Sequence, residues 1–276
     1  MPMYIQTNVA SLQAQTNLNA SRLGLQKSFE RLSSGYRINT AADDAAGMAV
    51  SENMRAHIRS LSVAERNSNN AISMTQTAEG GLGEISNMLI RMRELSVQAA
   101  NGDLTANERS YIDVEFQDLV AEIDRIANVT EFNGQELLGG PVTTIDFQVG
   151  IFTTADDTIS VDFGGVDTVG LGVSGQNVLG ADGTAAQAAM NAIDVAIDAV
   201  SSRRADFGAA MNRFQTTISN LQTSRNNLEA ANSVIRDVDV AHESAMMAKG
   251  NVLQQAGTAI LAQANQSPQL AMQLLG

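Results

Sequence analysis

The chain has 276 residues, a formal net charge of -13 and no cysteine. Disulfides and thiolate metal sites are therefore excluded, and a nucleic-acid partner is disfavoured because phosphate binding requires a surface rich in Lys and Arg. Hydrophobic residues make up 44% of the chain but aromatic residues only 4%. This aliphatic composition favours long helices packed along narrow stripes, and no apolar run is long enough to predict a membrane-spanning helix.

The N-terminal 21 residues carry no charged side chain, and Ile5, Val9 and Leu12 form an apolar stripe at helical spacing. The segment also lacks the basic and apolar regions of a secretory signal, so we expect no cleaved signal peptide.

Two helices are predicted next. From Ala45 to about Asn101, apolar and small residues alternate at spacings of four and three, as in a coiled-coil seam. After Gly102, Thr105 and Glu108 have the spacing of a capping box, which predicts a second helix to about Val129. The predicted seam of the first helix includes Leu82, Ile85, Leu89 and Met92.

Residues 141–180 change character and predict a β-rich hairpin region. The stretches TTIDFQV and TISVDF alternate apolar and polar residues and are separated by turn-forming residues. The segment VGLGV, ending at Val173, predicts one more extended segment on the same grounds. Between Pro141 and Ser202 the chain has eight Asp and no Lys, Arg or Glu, so its middle is strongly acidic.

A long helix is predicted to resume near Thr184 and to contain the clearest heptad pattern of the chain. Arg225 and Asn232 are its polar exceptions, and polar seam residues can fix the register of packed helices. The apolar positions of this predicted intrasubunit seam are Phe207, Met211, Phe214, Ile218, Leu221, Leu228 and Ile235. The fold class is thus mainly α: a long antiparallel helical coiled-coil bundle of N- and C-terminal segments, with a small β-hairpin in the middle.

The C-terminal end resembles the N-terminal end in having no charged side chain after Lys249. Leu253 and Ile260 belong to an apolar stripe that Pro268 is expected to break, and Leu270 and Leu274 continue beyond it. Amides and hydroxyls can be buried when hydrogen-bonded, whereas an unpaired buried charge is costly, so both ends are suited to enclosure by other protein subunits. Frayed tails are the alternative; an interfacial membrane helix is disfavoured because it needs basic residues and aromatics.

Several long stretches closely resemble bacterial flagellin. At the N-terminal side they are TNVASLQAQTNL, FERLSSGYRIN, AADDAAGMAVSENMR and IRMRELSVQAANG; at the C-terminal side, VIRDVDVAHESAMMAKGNVLQQAGTAILAQANQSPQ. The resemblance covers roughly residues 3–140 and 185–276. It implies a helical inner domain D0 from residues 1–42 and 236–276, and a rod domain D1 from residues 43–235. The short middle region implies a flagellin with little or no variable outer domain.

The resemblance also implies a function and partners. Members of the family polymerise into the extracellular helical filament of the bacterial flagellum and are exported unfolded by the flagellar type III system. The implied partners are other copies of the chain, an export chaperone on the C-terminal region, and the filament cap and hook-junction proteins, with no cofactor and no metal. Ile5, Val9, Leu12, Leu253, Ile260, Leu270 and Leu274 are the expected subunit-packing residues.

The stretch LIRMRELSVQ resembles the part of flagellin that the vertebrate Toll-like receptor 5 recognises. Carried over by position, Arg91, Leu95 and Glu115 are the expected receptor-recognition residues. The alternative is that Arg91 belongs to an ordinary solvated helix face.

Other function classes find less support. The chain has two His and no HExxH, GxSxG or phosphate-loop pattern, so an enzyme is not predicted. A pore-forming translocator would need a more apolar helix. A hook–filament junction protein with flagellin-like termini is the principal alternative.

Overall fold

The computed structural model describes residues 7–180 and 183–273, with side chains of the last helix described as far as residue 266. Helices α1 (Val9–Ser34), α2 (Ala45–Ala99) and α3 (Ala106–Val129) are followed by strands β1 (Glu131–Phe132), β2 (Gln135–Glu136), β3 (Thr143–Gln148) and β4 (Thr158–Phe163), and by helices α4 (Thr184–Arg236) and α5 (Val240–Gln273). The predicted fold class, long helices with a small central β element, is confirmed. The chain divides into two compact units: residues 59–225, and residues 1–58 together with 226–276.

The unit of residues 59–225 has a continuous apolar core made by α2, α3 and α4. Every predicted seam residue of α2 from Leu82 to Met92 is fully buried. On α4 the two phenylalanines are buried and also contact the hairpin: Phe207 lies 5.3 Å from Phe163 and Phe214 lies 5.5 Å from Phe147, ring centre to ring centre. Further along α4, Ile218 and Leu221 are buried, whereas Met211, Leu228 and Ile235 are half-buried.

The capping box at the start of α3 is present. The Thr105 hydroxyl accepts a bond from the Glu108 amide, and the Glu108 carboxylate accepts one from the Thr105 amide at 2.7 Å. These two bonds satisfy amides that the first helical turn leaves without partners, which explains why α3 begins there.

The β element is formed by two separate hairpins. β1 and β2 are joined at Asn133 and Gly134, whose φ values of 53° and 78° are those of an Asn-Gly hairpin turn. β3 and β4 pair antiparallel, with one face packed on the helices and the polar face outward. The alternation read from TTIDFQV and TISVDF therefore predicted the hairpin correctly.

The prediction of an extended segment at VGLGV is wrong. Residues 167–174 form consecutive turns, anchored where the Asp124 carboxylate accepts bonds from the amide and hydroxyl of Thr168, both at 2.9 Å. Leu171 and Val173 are buried, so the alternation reflects a turn packed on the core, where local hydrogen bonds replace strand pairing.

A buried arginine forms hydrogen bonds with carbonyl groups at the end of α2. The Arg109 side chain is 1% exposed and donates to the carbonyls of Ala99, Asn101 and Gly180 at 2.8, 2.8 and 3.1 Å. The last carbonyls of a helix lack intrahelical partners. The Arg109 guanidinium supplies donors to carbonyls at the end of α2, and its bond to Gly180 also holds the segment that precedes α4.

The unit of residues 1–58 and 226–276 contains the antiparallel pair α1–α5. Their backbones approach much more closely than those of the other helices, with many Cα atoms within 8 Å of the partner helix. The residues between the two helices follow an alternating three–four spacing on each, and most of them are small or polar. This seam consists of Ser11, Ala14, Leu18, Ser21, Leu25, Ser28 and Leu32 on α1, and of Glu243, Met247, Gly250, Gln254, Gly257, Leu261 and Ala264 on α5.

The break expected at Pro268 is absent, because α5 continues to Gln273. A proline inside a helix provides no amide for the carbonyl four residues earlier, here that of Ala264. The Asn8 side-chain amide donates to that carbonyl at 2.8 Å. The lost helical bond is therefore replaced from α1, and the helix can continue.

The connection between α1 and α2, residues 35–44, lies beside the connection between α4 and α5, residues 237–239. Tyr36 and Asp237 form a backbone bridge, and the Arg236 guanidinium lies 4.7 Å from the Tyr36 ring centre and 2.7 Å from Glu52. In the same connection Asp43 accepts from the amides of Asn39 and Thr40 and pairs with Lys27 at 2.6 Å. The Lys27 ammonium, with these amides, holds the pKa of the Asp43 carboxyl well below its ordinary value of 3.8.

Replacement of Arg109 by methionine should destabilise the unit of residues 59–225. Methionine keeps an unbranched apolar side chain but leaves buried carbonyls without a donor, so we expect a loss of about 3 kcal/mol in chemical denaturation. Arg125→Met, at an exposed position with an ion pair inside α3, is the matched control and should leave the midpoint unchanged. Equal midpoints for the two variants would contradict the role given to Arg109.

Asp43 should make the stability of the α1 connection depend on pH. Because its pKa is lowered in the folded chain, the carboxylate stabilises the fold above its ordinary pKa of 3.8, and that stabilisation is lost as pH falls below it. Asp43→Asn should therefore unfold at a lower temperature than the parent chain at pH 7, and the difference should shrink as pH falls below 3.8. The check is thermal unfolding followed by circular dichroism, with the exposed Asp103→Asn as control; a difference that stayed constant with pH would refute the assignment.

Candidate assembly surface

The α1–α5 pair exposes apolar side chains that its own seam does not cover. On α1, Val9, Leu12 and Leu23 lie on the side opposite the seam, and Leu23 is 66% exposed. On α5, Met246, Leu253 and Ile260 recur every seven residues beside the seam, and Ile260 is 60% exposed. We call these six residues the outer rows. A two-helix pair has no third element to cover such rows, so they remain available to another molecule.

The side chains around four of the outer-row residues, Val9, Leu12, Leu253 and Ile260, are neutral, whereas Leu23 adjoins Arg22 and Met246 lies one helical turn from Glu243 and Lys249. Between Val9 and Ser21, and again between Gly250 and Gln266, the chain carries amides, hydroxyls, glycines and aliphatic side chains, with no ionisable group. Amides and hydroxyls can enter an interface when they find hydrogen-bond partners, whereas each unpaired charge costs several kcal/mol to bury. The surface therefore has the composition of a protein–protein interface core, from which charged residues are depleted.

The structure places four of the seven expected subunit-packing residues on this surface. Val9, Leu12, Leu253 and Ile260 are exposed and belong to the outer rows. Ile5 lies outside the described residues, and the side chains of Leu270 and Leu274 lie outside the described part of the C-terminal end.

Sequence periodicity missed the seam beneath this surface. The seam positions follow a heptad pattern, but Ser, Gly, Ala and Gln occupy many of them, so a search for apolar residues finds the outer rows instead. The usable signal was the recurrence of small residues at a spacing of seven, as in Gly250 and Gly257.

Arg91 and Glu115 lie together on the exposed side of α2 and α3. The Arg91 guanidinium contacts the Glu115 carboxylate at 2.8 Å and the Glu94 carboxylate at 2.9 Å, and these two carboxylates raise the pKa of Arg91 above its ordinary value. Leu95, the third residue of this set, is 2% exposed and packs inside the core. Arg91 and Glu115 are therefore accessible from solvent, whereas Leu95 is part of the core.

Ion pairs also join α2 to α4. Arg93 pairs with Asp194 at 2.6 Å, and Arg204 with Glu79 at 3.4 Å. The Arg93 guanidinium lowers the pKa of the Asp194 carboxyl. These pairs are exposed, so they contribute more to the alignment of the helices than to their stability.

Within the described ranges, 7–180 and 183–273, no helix is both long and apolar enough to cross a lipid bilayer. The same residues include no group of three acidic or histidine side chains arranged to bind a metal ion.

Comparison with known proteins gives full-length matches. The model of the bacterial flagellin N-terminal helical region matches residues 5–143, and that of the C-terminal helical region matches residues 190–275. A flagellin of Halalkalibacterium halodurans is 45% identical over 275 residues, covering 99% of this chain and 100% of the relative. The flagellar filament 33 kDa core protein of Treponema phagedenis is 42% identical over 285 residues, with the same coverage of both chains.

Two solved structures are similar to this chain. Bacillus cereus flagellin is 34% identical, with a TM-score of 0.49 and coverage of 60% of this chain and 94% of that one. A hook-associated flagellar protein of Vibrio parahaemolyticus shares the fold at 16% identity, with a TM-score of 0.57 and coverage of 70% of this chain and 99% of that one. The two helical-region matches and the full-length relatives together establish that the chain belongs to the bacterial flagellin family, whose members are structural proteins of the flagellar filament.

Proposed function

We propose that the outer rows of the α1–α5 pair are the contact by which copies of this chain polymerise into the helical filament. The observation that carries this is the combination of exposed aliphatic side chains with neutral surroundings at Val9 and Leu12 on one helix and at Leu253 and Ile260 on the other. Head-to-tail contacts between identical chains generate open helical filaments when the rotation does not close a ring.

The division of charge along the chain supports this arrangement. The α1–α5 pair is uncharged over most of its length, whereas the middle of the chain carries eight of the acidic residues. Packing neutral helices inside the filament avoids repulsion between copies, and an acidic exterior keeps separate filaments apart. We propose on this basis that residues 1–42 and 236–276 form the inner domain D0 and residues 43–235 the rod domain D1.

The proposed filament lies outside the cell, so the chain has to be exported. We propose that the chain reaches the cell exterior unfolded through the flagellar type III system, with an export chaperone on its C-terminal region, and there meets the hook-junction and cap proteins. The alternative of a hook–filament junction protein is less well supported, because full-length relatives at 45% and 42% identity carry the names of filament proteins.

Ile260→Asp should prevent polymerisation while leaving the rest of the chain folded. The carboxylate would be buried against neighbouring copies without a counter-charge, at a cost of several kcal/mol per contact. We expect the critical concentration for seeded growth to rise by at least about tenfold, measured by sedimentation and negative-stain electron microscopy.

The matched control is Val169→Asp, which also places a carboxylate at an exposed valine but in the turns of residues 59–225. It should polymerise like the parent chain. Normal filaments from Ile260→Asp would remove the outer rows from the assembly contact.

A second proposed function is recognition of the dissociated chain by Toll-like receptor 5 through Arg91 and Glu115. Their side chains are each 49% exposed, so a receptor can reach the pair in a free monomer. Leu95 would act indirectly, by supporting α2 from the core.

Arg91→Ala should weaken receptor activation by monomeric protein by about tenfold, because it removes an exposed group able to form charge-assisted hydrogen bonds. The control is Arg93→Ala, which breaks an equally exposed ion pair between α2 and α4. A reporter assay on receptor-expressing cells measures both; equal potency of the two variants would refute the assignment of Arg91.

A further inference from the structure

The sequence contains two Asn-Gly dipeptides, at Asn101 and Asn133, and both are exposed. Asparagine followed by glycine is prone to spontaneous deamidation, because glycine has no side chain to keep its backbone nitrogen away from the asparagine amide. Local sequence alone therefore gives the two sites similar reactivity. The fold, however, surrounds them differently.

Asn133 is held in the tight turn between β1 and β2. Phe132 and Gln135 pair with each other across this hairpin, and the φ values of Asn133 and Gly134 are the positive ones that the turn requires. Deamidation joins the Gly134 nitrogen to the Asn133 side chain in a five-membered ring, which fixes the backbone in a different conformation. Because the change would break the pairing of β1 with β2, the hairpin opposes the reaction at Asn133.

Asn101 lies outside any strand pairing, two residues after the end of α2. Its backbone carbonyl accepts a hydrogen bond from Nη2 of Arg109 at 2.8 Å. The Arg109 side chain is buried, and further bonds to the carbonyls of Ala99 and Gly180 keep its guanidinium in place. A Cβ atom added at Gly102 would meet nothing within 4 Å, so the Asn101 side chain has room to approach the Gly102 nitrogen.

The carbonyl that Arg109 binds belongs to the peptide group whose nitrogen would attack. When the Gly102 N–H loses its proton, much of the negative charge resides on the Asn101 carbonyl oxygen, and a hydrogen bond to a charged form favours that form. A guanidinium fixed beside this oxygen stabilises the anion as the donors of an oxyanion hole do. Arg109 therefore makes the Gly102 nitrogen a better nucleophile.

We propose that Asn101 is a site of spontaneous deamidation, selected over Asn133 by the fold and activated by Arg109. The Gly102 nitrogen, after losing its proton to hydroxide, attacks Cγ of Asn101. The bond from Cγ to the side-chain nitrogen breaks, and ammonia leaves after that nitrogen takes a proton from water. Water then opens the succinimide ring at either carbonyl, which gives aspartate or isoaspartate; overall, water is consumed and ammonia is released.

The products change the connection between α2 and α3. Both place a carboxylate just beyond the end of α2, where the helix dipole is negative. Isoaspartate also lengthens the backbone by a methylene group, which displaces the carbonyl that Arg109 binds. Because the reaction needs only water and is not reversed by it, the extent of the modification records the age of a chain.

Peptide mapping of the full chain distinguishes the two sites. Trypsin cleaves after lysine and arginine, so peptide 94–109 contains Asn101, whereas peptide 126–203 contains Asn133. After incubation of the folded chain at mildly alkaline pH, tandem mass spectrometry should show Asn101 deamidated at least about tenfold faster than Asn133. In urea, where the fold is lost, the two rates should be similar, and Asn101 should react no faster than in the folded chain.

Two variants test the chemistry, with Asn133 as the internal control. Gly102→Ala adds a methyl group beside the attacking nitrogen, in open space, and should slow deamidation of Asn101 at least about tenfold. Arg109→Met removes the cation and should also slow it, under conditions in which circular dichroism shows the chain to be folded. A connection that was merely loosened by this substitution would instead react faster.

Equal rates at Asn101 and Asn133 in the folded chain would overturn the selection of the site. Faster deamidation of Asn101 in folded Arg109→Met would overturn the activation by Arg109. If that variant does not fold, the parent chain decides the same point: deamidation of Asn101 that is several-fold slower in the folded chain than in urea would show that Arg109 only restrains the connection.

Discussion

The close approach of α1 and α5 is the constraint on which the proposed function depends. Glycine, alanine and serine between the helices allow short backbone separation, but they bury little apolar surface. The pair gains little stability from its own seam, and several aliphatic side chains, among them Leu23 and Ile260, face outward. In residues 59–225, by contrast, leucine, isoleucine and phenylalanine fill a continuous core. The unit of residues 59–225 thus has a core of its own, whereas the proposed function gives the α1–α5 pair neighbouring copies to pack against.

Sequence reasoning predicted the parts of the fold where one local rule acts alone. The heptads of α2 and α4, the capping box at Thr105 and the alternation of β3 and β4 each follow from a single periodicity or motif, and each element lies where it was expected. The seam of α1 and α5 could not be read in the same way, because small and polar residues occupy most of its positions, while exposed aliphatic side chains give a competing periodicity.

The remaining differences arise from contacts that are distant in sequence. VGLGV has the alternation of a strand, but the carboxylate of Asp124, on α3, anchors it as turns. In the sequence Arg109 cannot be told from other helical arginines, because the three carbonyl groups that it binds come together only in the folded chain. For the candidate site, both stripes were found from their missing charges, while the burial of Leu95 depended on the packing of three helices.

The bond from Asn8 to Ala264 spans 256 positions of the chain. Because Pro268 removes the local donor, one bond inside the last helix is replaced by a residue that precedes the first helix, and the same side chain caps that first helix. That bond can form only when both ends of the chain have been brought together. Loss of the Asn8 side chain would therefore weaken two helices from opposite termini at once, because it caps one and supplies the missing donor of the other.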